Sequence, residues 1–233
     1  MEAKENYFVV GDVHGCFDQL TKLLTYHKPE TEQLVFLGDY VDRGPQSKQV
    51  LDLVMEKHAK GAWCLKGNHE DLLERALRNL SNPKFSHVDY QLWLKNGGDK
   101  TVDSFELGDW YTHDEVYAAL SAYKPFLNQL DYYKETDHLV FVHAGVDLFA
   151  DDWRTEYDEM LWVRDVFHNT PNNTGKTVVF GHTPTMHLNK NGAHDVWVSN
   201  DNKVGLDGGA VFGGVLHSVV LNHTGDVLTT HSV

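Results

Sequence analysis

The sequence predicts an α/β fold, a sandwich of two mixed β-sheets flanked by helices. Three observations predict it. Short apolar runs of strand length recur along the chain, helical patterns follow the first three of them, and the C-terminal part returns to strand patterning. Strand, loop, helix, strand is the grammar of α/β proteins.

Taken in order, the runs at 7–10, 34–37, 62–65, 138–142 and 177–180 are rich in Val, Phe and Leu. That composition suits strands buried on both faces. Leu20, Leu23 and Leu24 mark a first helical stripe, and Val50, Leu51 and Val54 a second, with Pro45 suited to its first turn. Leu72, Leu73, Ala76, Leu77 and Leu80 repeat with a helical period. Residues 81–135 read as a mainly helical insert, in which Thr112 and Glu115 form a capping box before Val116, Ala119 and Leu120. The segments at 204–206, 215–221 and 227–230, separated by turn residues such as Thr224-Gly225, read as a β-meander. No repeat or low-complexity linker interrupts the chain, so residues 1–233 are expected to form one domain.

Composition narrows the function. The 233 residues carry 34 acidic and 20 basic side chains, a net charge of −14, which disfavours a nucleic-acid partner. No apolar run is long enough to span a bilayer, and the polar Met1-Glu-Ala-Lys-Glu-Asn6 start lacks the core of a secretory signal. The two cysteines, Cys16 and Cys64, read as packing residues rather than a disulfide scaffold, which implies a reducing, cytoplasmic setting. No heptad or apolar interface stripe appears, so a monomer is expected.

Five of the apolar runs end abruptly in polar, mostly glycine-containing clusters: Gly11-Asp-Val-His-Gly15, Gly38-Asp-Tyr-Val-Asp-Arg-Gly44, Gly67-Asn-His-Glu70, His143-Ala-Gly145 and Gly181-His-Thr183. In α/β sheets, loops leaving the carboxyl ends of strands gather at one place. Asp12, His14, Asp39, Asn68, His143 and His182 would then meet as oxygen and imidazole donors without a thiolate. That set suits divalent Mn²⁺, Fe²⁺ or Zn²⁺. Asp39, central in the strand order, is the candidate to bridge two ions, which together can clamp a phosphate. Arg43 and Arg164 offer planar forks to phosphate oxygens. His69 could protonate a leaving alkoxide, and Asp42 could orient that imidazole. The plain alternatives are surface ion pairs, Asp42–Arg43 and Arg164–Asp165. Trp153, Trp162 and Trp197 read as packing residues. Among the other histidines, His27, His58, His87, His113, His187, His194, His223 and His231 read as solvated or hydrogen-bonded, with His217 in a strand pattern.

The first three clusters resemble the signature blocks of the phosphoprotein phosphatase family within the calcineurin-like metallophosphoesterases, in order and in spacing. The 143–145 and 181–183 clusters resemble that family's downstream ligand blocks, and Leu161-Trp-Val-Arg-Asp165 its second arginine segment. The resemblance covers nearly the whole chain and is nearest to the small bacterial and phage serine/threonine phosphatases. It implies a dinuclear centre, with Asp12, His14 and Asp39 on one ion and Asp39, Asn68, His143 and His182 on the other. It also implies phosphate binding by Arg43, Arg164 and Asn68, proton donation by His69 with support from Asp42, and direct attack by metal-bound hydroxide on a phosphoserine or phosphothreonine protein. The stretch at 206–214 looks more like bacterial members that include diadenosine tetraphosphate hydrolases, so a small phosphorylated molecule is the alternative substrate. The intact His14 leans toward the protein phosphatases. The Gly97-Gly98 pair is either a helix stop or a phosphate-facing turn, and the helix stop is the preferred reading.

Overall fold

The computed structural model of the protein describes residues 4–81, 88–108 and 110–233. His87, parts of the helical insert and the first three residues lie outside them. Two five-stranded mixed sheets stack face to face. The first runs in the order β10-β9-β1-β2-β3 and the second β4-β5-β6-β8-β7. Strands β1 (Asn6–Val10), β2 (Glu32–Phe36) and β3 (Trp63–Cys64) are parallel neighbours. Helices α1 (Phe17–Leu23) and α2 (Ser47–Ala59) make the crossovers between them.

Period-two alternation explains the layering. Phe8 and Val10 face outward into a core shared with Leu20, Leu51 and Leu73, whereas Val9 faces inward to join Val35, Phe141, Val179 and Val219 between the sheets. Helix α3 (Asn68–Leu80) buries Leu72, Leu73, Ala76 and Leu77, the stripe its periodicity predicts. Helices α4 (Val88–Trp93), α5 (Asp99–Asp103), α6 (His113–Ser121) and α7 (Lys124–Leu127) follow. The Thr112 Oγ1 and Glu115 carboxylate cap α6 reciprocally, with Val116 and Leu120 buried.

The second sheet holds β4 (Tyr133–Glu135), β5 (Leu139–Val142), β6 (Thr177–Phe180), β7 (Trp197–Val198) and β8 (Lys203–Gly205). Helices α8 (Tyr157–Trp162) and α9 (Asp165–Asn169) cover its outer face through Met160 and Phe167. Strands β9 (His217–Asn222) and β10 (Val227–Ser232) return to the first sheet, where β9 pairs antiparallel with β1.

Three local expectations change. The C-terminal strands are not one meander: β8 belongs to the second sheet and β9 to the first, because the loop between them crosses the sandwich. Pro45 lies before α2 rather than in its first turn, because Gly44 packs against His14 and the Gln46 N–H is held by the Gly15 carbonyl. The region read as a mainly helical insert ends in a strand, β4. Among the described residues, no helix is long and apolar enough to cross a membrane.

On β4, Glu135 accepts a bidentate pair of bonds from Arg154 at 2.8 and 2.6 Å and faces Lys176 Nζ at 2.7 Å. The Arg154 hydrogen bonds, with Lys176, hold its carboxyl down at about 2. The folded-state value lies below the unfolded one, so this stabilisation is present at neutral pH and fades as pH falls from the ordinary glutamate range. Glu135→Gln should lower stability by about 1 kcal/mol at pH 7, allowing for the pair's partial exposure. In urea titrations the gap from wild type should narrow steadily from pH 5 to pH 3.

Candidate dinuclear metal centre

The turns after β1, β2, β3, β5 and β6 meet at one edge of the sandwich. Their backbones are unusual. Seven described non-glycine residues have positive φ, and five of them are His14, Asp39, Asp42, Arg43 and His182. Such conformations cost about 1–3 kcal/mol each and persist where the surroundings enforce them. Here close packing enforces them. A Cβ on Gly67 would lie 2.1 Å from Asp39 Oδ1, and one on Gly181 would lie 2.1 Å from Asp12 Oδ1. Glu70, fully buried, accepts the N–H groups of Asp39, Tyr40 and Gly67 at 2.8–2.9 Å. It therefore caps α3 and pins the β2 turn at once.

The six expected ligands come together, all buried. Asp39 turns its two oxygens to different partners: Oδ2 lies 3.3 Å from His14 Nε2, and Oδ1 lies 3.5 Å from His143 Nε2. The His14 Nδ1–H donates to the Val41 carbonyl at 2.8 Å, and the His143 Nδ1–H to the Leu37 carbonyl at 2.9 Å. Each Nε2 therefore keeps its lone pair. His143 Nε2 faces Asn68 Oδ1 at 3.0 Å as well as Asp39 Oδ1, three acceptors with no proton to share. His182 Nε2 is buried without a hydrogen-bond partner, and the backbone N–H of His182 donates to both oxygens of Asp12 at 3.0 Å.

Electrostatics agree with this donor set at His143, His182 and Asp12, whereas the Asp39 carboxylate raises His14. Burial, with His143 and Arg164 alongside, pushes the His182 imidazole down to about 2, and burial also lowers His143, so both rings stay neutral. Burial and the neighbouring Asp207 carboxylate push the Asp12 carboxyl well up. Converging lone pairs and crowded buried carboxylates are what a divalent cation relieves. The residues fit two ions that share Asp39.

The remaining site residues surround this cluster. Asp42 is fully buried, not in a surface pair. It accepts the His69 Nδ1–H at 2.7 Å, the Trp93 Nε1–H at 2.9 Å and the Thr101 hydroxyl at 2.7 Å. The opposite nitrogen of His69, Nε2, is buried and unpartnered, and the ring packs 4.6 Å from His14. Arg43 Nη1–H donates to His14 Nε2 at 2.6 Å. Arg164 turns from its neighbour Asp165 to the His182 carbonyl and the Thr183 hydroxyl, both at 3.0 Å. Cys16 is not a nucleophile, since burial pushes its thiol up to about 11.

A family model described as calcineurin-like phosphoesterase matches residues 6–214. The chain belongs to this family. As a calcineurin-like phosphoesterase it is an enzyme of the phosphoric ester hydrolases, a family that uses a dinuclear divalent metal centre. It is 30% identical to serine/threonine-protein phosphatase 1 of Salmonella typhimurium, with 93% of each chain covered. It is 26% identical to the asymmetrical bis(5'-nucleosyl)-tetraphosphatase PrpE of Halalkalibacterium halodurans, over 89% of this chain and 87% of that one. A Saccharomyces cerevisiae protein serine/threonine phosphatase shares the fold, with a TM-score of 0.60 at 15% identity, over 94% of this chain and 73% of that one.

Several residues of this phosphoesterase site escape sequence reasoning. Trp93 and Thr101 bind Asp42 from 51 and 59 residues away. Asp207, buried beside Asp12, anchors its loop by accepting the Gly209 N–H at 2.8 Å. Its signal was the Leu206-Asp-Gly-Gly sequence itself. Trp162, read as packing, is 42% exposed and lies edge-on to His182 at 6.1 Å. The Gly97-Gly98 pair breaks the helix, as preferred, with Gly97 at φ +101°. It also receives the Arg43 N–H on the Gly97 carbonyl at 3.0 Å. A Cβ on Gly97 would lie 2.8 Å from both Arg43 N and Cγ. Gly97→Ala should therefore displace Arg43 and raise KM for a phosphorylated substrate about tenfold, at about 1–3 kcal/mol of stability. Steady-state kinetics with a thermal melt check both effects.

Proposed function

We propose that the enzyme is a phosphoprotein phosphatase that hydrolyses phosphoserine and phosphothreonine monoesters at a pair of divalent ions. The ions are Mn²⁺ by preference, with Fe²⁺ or Zn²⁺ accepted by the same donors. Asp12, His14 and Asp39 would hold one, and Asp39, Asn68, His143 and His182 the other. When bound, such a pair supplies an activated water and neutralises phosphoryl oxygens. The chain's own residues do the rest. Arg43 exchanges His14 for a phosphate oxygen, Arg164 and the Asn68 amide bind further oxygens, and His69 delivers a proton from Nε2 to the departing serine or threonine oxygen. Asp42 keeps that ring oriented through Nδ1.

The observation that carries this reading is the His69–Asp42 pair, with Nε2 unpartnered and the ring packed against the expected ligand His14. A serine alkoxide is a poor leaving group and needs such a donor, whereas a nucleotide leaving through a phosphate oxygen needs it far less. Similarity to the Salmonella phosphatase also supports it. A second reading, hydrolysis of dinucleoside polyphosphates, draws on the 206–214 loop and on the similarity to PrpE. The test is side-by-side kinetics of the Mn²⁺-loaded enzyme on a phosphoserine peptide and on diadenosine tetraphosphate. A higher kcat/KM for the peptide is expected, and a far higher value for the dinucleotide overturns the proposal.

A further inference from the structure

Two exposed aromatic rings flank the ligand cluster, and no catalytic step uses them. Phe212, 67% exposed, sits over the Arg43 guanidinium with its centroid 5.4 Å from Cζ. It stands at the His14 end of the cluster, because Arg43 reaches His14. Trp162 stands at the other end, edge-on to His182. Neither ring is on a loose segment. Phe212 rides a 3₁₀ turn (Ala210–Phe212) between Gly209 at φ +68° and Gly213 at φ +87°. That turn is tied by Phe212 N–H to the Gly209 carbonyl at 2.9 Å and by Val215 N–H to the Gly208 carbonyl at 3.1 Å. Trp162 is the last residue of α8, with Met160 and Leu161 buried behind it. Apolar rings held rigidly in water beside a polar cleft are surface that a ligand can cover.

An extended peptide has a fixed repeat. Side chains two residues apart leave on the same face, about 6.6–6.8 Å from one another. A phosphoserine lowered into the cluster turns its −2 and +2 side chains to the same face, one toward each end of the peptide, and the two rings stand at the two ends of the cluster. We propose that Phe212 and Trp162 are specificity residues of this site, selecting phosphopeptides with an apolar or aromatic side chain two positions from the phosphoresidue on each side. The chain's net charge of −14 adds a bias against acidic flanks. The inference rests on the phosphoprotein reading above.

The experiment uses phosphoserine peptides of one length with Gly, Leu, Phe or Asp at −2 and +2, and diadenosine tetraphosphate alongside. kcat/KM is measured for Mn²⁺-loaded wild type, Phe212→Ala, Phe212→Leu and Trp162→Ala. Wild type is expected to favour Leu or Phe over Gly about tenfold at each position, the value of covering one apolar side chain, with Asp below Gly. Within Phe212→Ala the ratio should collapse toward one at one position, and within Trp162→Ala at the other, while Phe212→Leu keeps most of it. Ratios within one variant cancel any general loss of activity. Equal kcat/KM for Gly and Leu peptides in wild type overturns the inference and leaves the phosphatase reading standing. A dinucleotide preferred over every peptide overturns the reading itself, and loss of that preference in the two alanine variants would make the rings base-stacking residues instead.

Discussion

Asp39→Asn is expected to lower metal content from two ions per chain to one or fewer and to cut turnover at least ~100-fold, since even second-sphere partners of a metal cost up to that much. The reason lies in the use of both carboxylate oxygens, Oδ2 toward His14 and Oδ1 toward His143. Asparagine keeps the volume and one acceptor oxygen, so the His69 N–H that now donates to Oδ1 at 3.0 Å retains its partner. It also tolerates the left-handed backbone that Asp39 adopts at φ +52°. What it loses is the negative charge and the second oxygen donor. The fold should therefore survive while the bridge does not. Elemental analysis of protein dialysed against Mn²⁺, with a thermal melt on the same sample, separates the two. Two ions bound with wild-type turnover would remove Asp39 from the centre.

That prediction is available from sequence because each donor lies in a short polar cluster directly after a buried apolar run. The strand ends were legible for the same reason: Val9, Val35 and Val179 belong to segments too apolar to lie anywhere but between layers. Convergence followed from α/β topology alone. Other features were hidden for physical reasons. The sequence pattern reports strands at 204–206 and 215–221 but not which sheet receives each, so the crossing of the sandwich between β8 and β9 was invisible. Glu70 reads as the end of a motif, while its work is to gather backbone N–H groups from a turn 30 residues away. The anchors of Asp42 come from Trp93 and Thr101, which only the folded insert brings near. Trp162 was misread because a tryptophan followed by valine and arginine gives no sign of which face of a short helix meets solvent. Local signals locate ligands, whereas the groups that hold ligands in place are distant in sequence.

His69→Asn separates proton donation from everything else at the site. The residue's backbone N–H, which donates to Asp39, is unaffected by the change, and asparagine still offers a donor toward Asp42. Metal content should stay at two ions per chain. Turnover of a phosphoserine peptide should fall about 10²–10⁴-fold, the usual contribution of a positioned general acid. Turnover of p-nitrophenyl phosphate should fall much less, because nitrophenolate leaves without a proton. The split between the two substrates is the diagnostic, since a merely structural defect would lower both alike. Equal losses would mean that His69 is not the donor. A fall in metal content would mean that His69, which groups with His14 and Asp39, serves as a ligand instead through its unpartnered Nε2. The two roles make opposite demands on one nitrogen. A proton donor must keep its hydrogen until the leaving oxygen arrives, and a ligand must have lost it before the ion binds. The geometry favours the first: Asp42 fixes the His69 ring through Nδ1 with a carboxylate, whereas His14 and His143 turn Nδ1 to backbone carbonyls and Nε2 to Asp39.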